Sequence, residues 1–227
     1  FIMVSYDKQT INTKNIFARY AHRTRLRISK NIIIKDYINK DISILDYGCG
    51  DGIFLDQLSK IFKNSKLIGY DPYSKINHNS FLLLNNLDEI SKNKFDIICC
   101  FETLEHLFDS EKSDLYELVK NSLNYEGKFI VSVPIIGGLT LILKEFNRAI
   151  MFKRKSDYTF KELFLSTFFN KSPKRAVDIK GSHKGFNFTK LETELNKNFT
   201  IKSKILSPFK NLPWFLNSNI FYILECK

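Results

Sequence analysis

The sequence predicts an α/β domain built on a mostly parallel sheet, and three observations carry that prediction. From Ile44 to Glu225, short apolar runs alternate with segments of helical period. A glycine-rich turn, Asp46-Tyr47-Gly48-Cys49-Gly50-Asp51-Gly52, stands directly between the first apolar run and the first helical segment. No repeat of roughly 20 to 50 residues is visible, so a solenoid or propeller is not expected. With 44% hydrophobic and 14% aromatic side chains over 227 residues, the chain has enough apolar material for one sizeable core without disulfides or metals.

Ahead of the core, Leu26, Ile28, Ile32, Ile33 and Tyr37 mark a basic amphipathic helix. Strands are predicted at Ser43 to Tyr47, Lys66 to Asp71, Phe81 to Leu84, Phe95 to Cys100, Lys128 to Pro134, Phe199 to Leu206 and Asn219 to Cys226. Phe54, Leu55, Leu58, Ile61 and Phe62 recur at three- and four-residue spacing after the first strand, and Leu115, Leu118, Val119 and Leu123 do so before the fifth. Helices in those places are crossovers between parallel strands, which puts a ligand beyond the carboxyl ends of the strands. Pro208, Pro213 and Trp214 separate the last two strands, consistent with an antiparallel edge pair. Between the fifth and sixth strands runs an excursion from Ile135 to Gly185, with helices predicted at Thr140 to Phe152 and Phe160 to Phe169. Its length and position suit a functional lid. The organisation expected is a single domain: N-terminal helices in 1–40, a core in 41–134 and 186–227, and an insertion in 135–185.

Several classes are excluded. The four cysteines, Cys49, Cys99, Cys100 and Cys226, form no CxxC or CxxH spacing, so neither a zinc site nor a disulfide framework is expected, and a reducing cytoplasm fits. Acidic residues are scattered without a clear ligand triad, so no metal site is assigned. The longest uncharged stretch, Phe129 to Leu143, is too short for a membrane span and contains Pro134, Gly137 and Gly138. No basic segment followed by an apolar run opens the chain, so a secretory signal is not expected. The net charge of +11 is unevenly spread. All seven arginines lie in Lys8 to Lys30 or Lys144 to Lys184, and arginine's planar fork suits phosphate or carboxylate.

The glycine turn has the spacing GxGxG rather than the GxGxxG of a pyrophosphate-binding loop, and Asp46 and Asp51 flank it. Two carboxylates repel a pyrophosphate and suit a ligand carrying an ammonium or sulfonium group. Asp71 ends the second strand, where a carboxylate can accept both hydroxyls of a ribose, although Asp-Pro at that position is also a helix N-cap signature.

At these residues the sequence resembles the class I S-adenosylmethionine-dependent methyltransferases. The resemblance runs through Ile44 to Gly52, Leu67-Ile68-Gly69-Tyr70-Asp71-Pro72, Phe95-Asp96-Ile97-Ile98, Glu102-Thr103-Leu104-Glu105-His106-Leu107 and Glu126 to Pro134. It implies a Rossmann-like, seven-stranded, mostly parallel sheet with an antiparallel last strand, and S-adenosylmethionine as cofactor. Carried over by position, Gly48, Cys49, Gly50 and Gly52 form the loop around the methionyl moiety, with Asp46 near its ammonium. Asp71 would hold the ribose, Tyr70 and Pro72 would flank the adenine, Asn86 and Leu87 would cover its edge, and Phe101 and Glu102 would face the methionyl arm.

The acceptor is less legible. The Asn/Asp-Pro-Pro-Tyr signature of amino-N base methylation is missing, since Cys99-Cys100-Phe101-Glu102 stands in its place, and no appended RNA-binding module is present. Asn15 to Arg27 and His183-Lys184-Gly185-Phe186 look similar to methyltransferases of bacterial surface-glycan pathways. That resemblance implies polysaccharide biosynthesis and a sugar hydroxyl on an anionic nucleotide-, phosphate- or lipid-linked glycan, and the confinement of the arginines to two segments suggests that Arg23 and Arg148 grip it. Two alternatives stand beside it: an RNA methyltransferase using the basic surface for backbone contacts, and a non-catalytic cofactor-binding or membrane-surface protein using the apolar stripe from Leu139 to Phe152. A hydroxyl acceptor needs a base, and an imidazole ordinarily titrates in the right range. His183, between Gly181 and Gly185 where the insertion rejoins the core, and His106, after Glu105 at the end of the fourth strand, are the candidates. His22 and His78 are weaker ones.

Overall fold

The computed structural model describes residues 16–74, 78–152, 155–174 and 183–227, with backbone only at 16–18, 147, 151 and 152. Arg154, Arg175, Gly181 and the residues before Ile16 therefore lie outside the described residues. The chain runs α1 (Ile16–Tyr37), β1 (Ser43–Tyr47), α2 (Ile53–Ser59), β2 (Lys66–Tyr70), β3 (Leu82–Leu84), α3 (Leu87–Ser91), β4 (Phe95–Phe101), a 3-10 turn at Leu104–His106, α4 (Asp109–Ser122) and β5 (Leu123–Pro134). It continues with α5 (Gly138–Phe152), α6 (Phe160–Phe169), α7 (Phe188–Asn198), β6 (Phe199–Ser207), a second 3-10 turn at Trp214–Leu216 and β7 (Asn219–Cys226).

The strands form one seven-stranded sheet in the order β3-β2-β1-β4-β5-β7-β6. The first five are parallel, and β7 lies antiparallel between β5 and the edge strand β6. Because side chains alternate across a pleated strand, consecutive residues feed opposite cores. Leu45, Ile98, Phe129 and Tyr222 face one layer, packed by α3, α4 and α7 through Ile90, Leu115, Val119 and Leu195. Ile44, Ile97, Ile130 and Phe221 face the other, packed by α1 and α2 through Ile33, Leu55 and Leu58. The central strands are covered on both faces, which is why they read as continuous apolar runs.

Two departures from the sequence reading have local causes. Strand β5 begins at Leu123 rather than Lys128, because its pairing with β4 jumps from Phe95↔Leu123 to Ile97↔Lys128 and the intervening residues bulge out. Tyr125 in that bulge is 97% exposed, so the segment carries no strand-like alternation. Helix α7 is left unassigned by the sequence reading. It is capped by Asn187, whose side chain accepts from Thr189 and Lys190 N–H, and it buries Phe188, Leu191 and Leu195. Among the described residues, no helix is long and apolar enough to cross a membrane.

Candidate active site

The sheet order reverses between β1 and β4, so a crevice opens there at the carboxyl ends of the strands. Gly48, Gly50 and Gly52 all turn through left-handed backbone, with φ of 81°, 54° and 67°. Gly48 and Cys49 N–H donate to the Tyr70 carbonyl at 2.7 and 3.1 Å, and Gly50 N–H donates to Asp71 Oδ2 at 3.1 Å, so the end of β2 holds the loop's shape. A Cβ at Gly48 would lie 2.3 Å from Thr103 Oγ1, whereas a Cβ at Gly50 would meet nothing within 4 Å. The loop therefore packs tightly at Gly48 and presents bare backbone to the crevice at Gly50.

Asp46, Gly48, Gly50, Phe101 and Glu102 line this crevice from the sheet, and His22 and Arg25 line it from α1. Glu102 sits in left-handed backbone at φ 52°, a cost that persists where surroundings over-determine it. They do so here. Its Oε1 accepts from Ser132 Oγ at 3.0 Å and from Asn219 Nδ2 at 2.9 Å, and its Oε2 pairs with Arg25 at 3.1 Å. Burial, followed by the Arg25 guanidinium, lowers the His22 pKa to about 4, so this imidazole is neutral near pH 7. Lys144 of α5 is exposed as a residue, yet its amino group interacts with Glu102, Glu105 and Arg25, and burial of that group lowers its pKa.

Asp46 is only 4% exposed. Burial, and secondarily the charge on Asp71, raise its carboxyl pKa from 3.8 to about 7. The sign follows from proton counting. Between the two values the folded chain holds a proton that the unfolded chain has released, so the group's contribution to stability falls as pH rises from about 4 to about 7. Asp46→Asn is expected to stabilise the ligand-free protein at pH 7.5 by on the order of 2 kcal/mol, with the advantage vanishing near pH 4. Denaturant titrations of both proteins across that range measure it, and a pH-independent difference would contradict the assignment.

A second cluster forms at the end of β4. Glu105 is fully buried, and His106 Nε2 lies 3.9 Å from its Oε1. The insertion brings His183 to the same place, its ring edge-on to His106 with centroids 4.8 Å apart. The carboxylate and both imidazoles offer atoms within 4.8 Å of one another. Residues that look scattered along the sequence are thus gathered into a set able to pass a proton or to ligate a divalent cation. The sequence assigns no metal site and leaves metal dependence open, and this grouping is the set on which that question turns.

The other anticipated residues fall as follows. Asp71 is at the loop, its Oδ1 accepting from Tyr73 and Ser74 N–H at 2.8 and 3.1 Å. Pro72 is exposed. Asn86 Oδ1 caps α3 by accepting from Asp88 N–H at 3.0 Å, and Leu87 packs partly buried on the core. Cys49 lines the crevice and Gly52 opens α2. His78 stacks on Phe81 with centroids 4.3 Å apart and lies against Gly52, and it is not among the residues that line the crevice. Neither Arg23 nor Arg148 lines it either. Arg23 is exposed, and Arg148 pairs with Glu145 at 3.7 Å and with Asp157. Among the described residues, Arg25 lines the crevice, and Lys144 lies near enough to Glu102 and Glu105 for their charges to act on its amino group. Helical period is the signal for the first, since His22, Arg25 and Ser29 follow one another along the α1 face that carries buried Ile32 and Ile33.

This sheet order, with a glycine loop at the switch point and acidic residues on the neighbouring strand ends, defines a class I methyltransferase, the class whose methyl donor is S-adenosylmethionine. The chain belongs to the methyltransferase-domain family, whose model matches residues 14–144, more than half of its length. No curated protein matches it in sequence. Among solved structures it is similar to the PH0226 protein of Pyrococcus horikoshii, with a TM-score of 0.59 at 16% identity over 98% of this chain and 96% of that one. An S-adenosylmethionine-dependent methyltransferase of Clostridium acetobutylicum superposes with a TM-score of 0.56 at 16% identity, covering 97% and 96% of the two chains. Magnesium protoporphyrin IX methyltransferase of Synechocystis, solved with bound SAH, gives 0.55 at 13% identity over 94% and 89%. At these identities the likeness concerns the fold.

Proposed function

We propose that the crevice binds S-adenosylmethionine and that the protein methylates a hydroxyl of an anionic acceptor, a nucleotide-, phosphate- or lipid-linked glycan. The observation that carries this reading is the convergence of Glu105, His106 and His183 beside Lys144, which also interacts with crevice-lining Glu102 and Arg25. Proton-accepting groups and cations together are what an anionic hydroxyl acceptor requires.

The residues present fit the cofactor. Asp46, buried with a raised pKa, is a carboxylate that gains from a cationic partner, and an ammonium there favours its ionised form. Arg25 is placed to meet the methionyl carboxylate, with Glu102 holding its guanidinium. Gly48, Cys49 and Gly50 offer backbone, and Phe101 offers an apolar wall. Asp71, oriented by Gly50, Tyr73 and Ser74 N–H, takes the ribose hydroxyls. Tyr70, Pro72 and Leu87 flank the adenine, and Asn86, whose oxygen is spent on the cap, has its amide N–H left to offer. When bound, the cofactor supplies a methyl group on a sulfonium, electrophilic enough for in-line displacement. The chain's own part is to hold the acceptor oxygen in line and to remove its proton.

Asp71→Ala removes charge-assisted bonds of roughly 1.5 to 3 kcal/mol, which is about ten- to a hundredfold in affinity. Calorimetry with S-adenosylmethionine measures this, and unchanged affinity would sink the ribose assignment. The acceptor is tested by S-adenosylhomocysteine release in the presence of sugar nucleotides, phosphoglycans or RNA fragments. Turnover confined to RNA would overturn the glycan reading. Loss of turnover on chelation, restored by a divalent cation, would reassign the Glu105-His106-His183 cluster from proton transfer to metal binding.

A further inference from the structure

The insertion is built inside out. On α5, Leu143, Phe146 and Ile150 are 59 to 61% exposed, while the Glu145 side chain between them is only 10% exposed. On α6, which packs against α5, Phe160, Phe164 and Phe168 recur every four residues and are 86%, 47% and 59% exposed. The polar Ser166 and Thr167 of the same helix are buried at 1% and 4%. A surface helix of a globular domain turns its apolar stripe inward. Here both stripes face solvent, on two adjacent helices, and single scattered exposures do not account for them.

Charge decides what covers this face. Exposed Lys155, Lys161, Lys171 and Lys174 make no ion pair among the described residues. The acidic groups of the same region are already paired: Glu145 and Asp157 share Arg148, and Glu162 pairs with Lys184 at 3.0 Å. We infer that the outward faces of α5 and α6 seat on an anionic lipid bilayer, with the aromatic and aliphatic side chains entering the headgroup region and the lysines meeting acidic headgroups. A second copy of this chain would set one basic insertion against another in a protein of net charge +11, whereas an anionic bilayer complements both features. The contact goes beyond the proposed activity and needs no particular acceptor. It would bring the insertion, and with it Lys144, to the surface where a lipid-linked acceptor lies.

The experiment is co-sedimentation of the intact chain with vesicles of phosphatidylcholine alone or mixed with phosphatidylglycerol. The wild type should pellet with the mixed vesicles, bind phosphatidylcholine at least about tenfold more weakly, and be released by salt. Phe164→Ser with Phe168→Ser, both exposed and remote from the cofactor residues, should weaken binding to mixed vesicles at least about tenfold. S-adenosylmethionine affinity and the circular dichroism spectrum of that variant should match the wild type. Wild-type protein that stays in the supernatant, or a serine variant that binds as well as the wild type, would overturn the inference. So would a dimer in sedimentation that the same substitutions abolish, since that result assigns the face to a second copy.

Discussion

His183→Ala is expected to lower kcat by roughly a hundredfold or more while leaving S-adenosylmethionine affinity within about twofold of wild type. On the proposed reading the acceptor is a sugar hydroxyl, a poor nucleophile near neutrality, so its proton must leave as the methyl arrives. His183 comes from the segment that rejoins the core, is exposed, and sits edge-on to His106 beside the buried Glu105 carboxylate. The cofactor crevice is lined by other residues, so binding and turnover should separate cleanly in this variant. Calorimetry and single-turnover kinetics measure the two quantities. If kcat survives in His183→Ala and collapses only in His106→Ala or Glu105→Gln, the base belongs to the end of β4, and the insertion serves to close over the acceptor.

Gly48→Ala should cost about 2 to 5 kcal/mol of folding stability. Left-handed backbone accounts for roughly 1 to 2 kcal/mol of this, and the forced contact with Thr103 for roughly 1 to 3. Gly50→Ala provides the comparison, because it shares the left-handed backbone at φ 54° but has open space where the methyl would go. It should cost only the backbone part, about 1 to 2 kcal/mol, while placing a methyl group in the cofactor crevice and weakening S-adenosylmethionine. Paired denaturant titrations resolve the difference. Equal losses at the two positions would show that the Thr103 contact relaxes freely, and Gly48→Ala with Thr103→Ala should recover part of the steric component.

Much of the architecture is legible in the chain because it is written in short-range periods. Ile44-Leu45 and Ile97-Ile98 read as buried strands since both faces of the central sheet are covered, and Phe54, Leu55 and Leu58 read as a helix since three- and four-residue spacing makes one face. The glycine loop is equally plain, because only glycine tolerates three left-handed turns within five residues. Legibility stops where a segment lacks a period. The bulge before Lys128 is polar and solvent-facing, so it hides the start of β5.

Within the site the division follows sequence distance. The residues of the loop and of the ends of β2 and β4 are identifiable because each follows its strand directly, and backbone geometry carries it to the crevice. Choosing among the arginines is different, since α1 presents Arg25 to Glu102 and leaves Arg23 outside through the rotation at which the helix docks on the sheet. Arg148 is likewise withdrawn by Asp157 and Glu145. The order of the elements, the parallel sheet and the glycine loop are thus readable from the chain alone, because these depend on local backbone preference and on which face of an element is apolar. That Glu105, His106 and His183 meet, that Arg25 lines the crevice, and that α5 and α6 turn their apolar faces outward emerges from the folded chain. Each of these depends on how distant segments rotate and dock against one another, which no local period encodes.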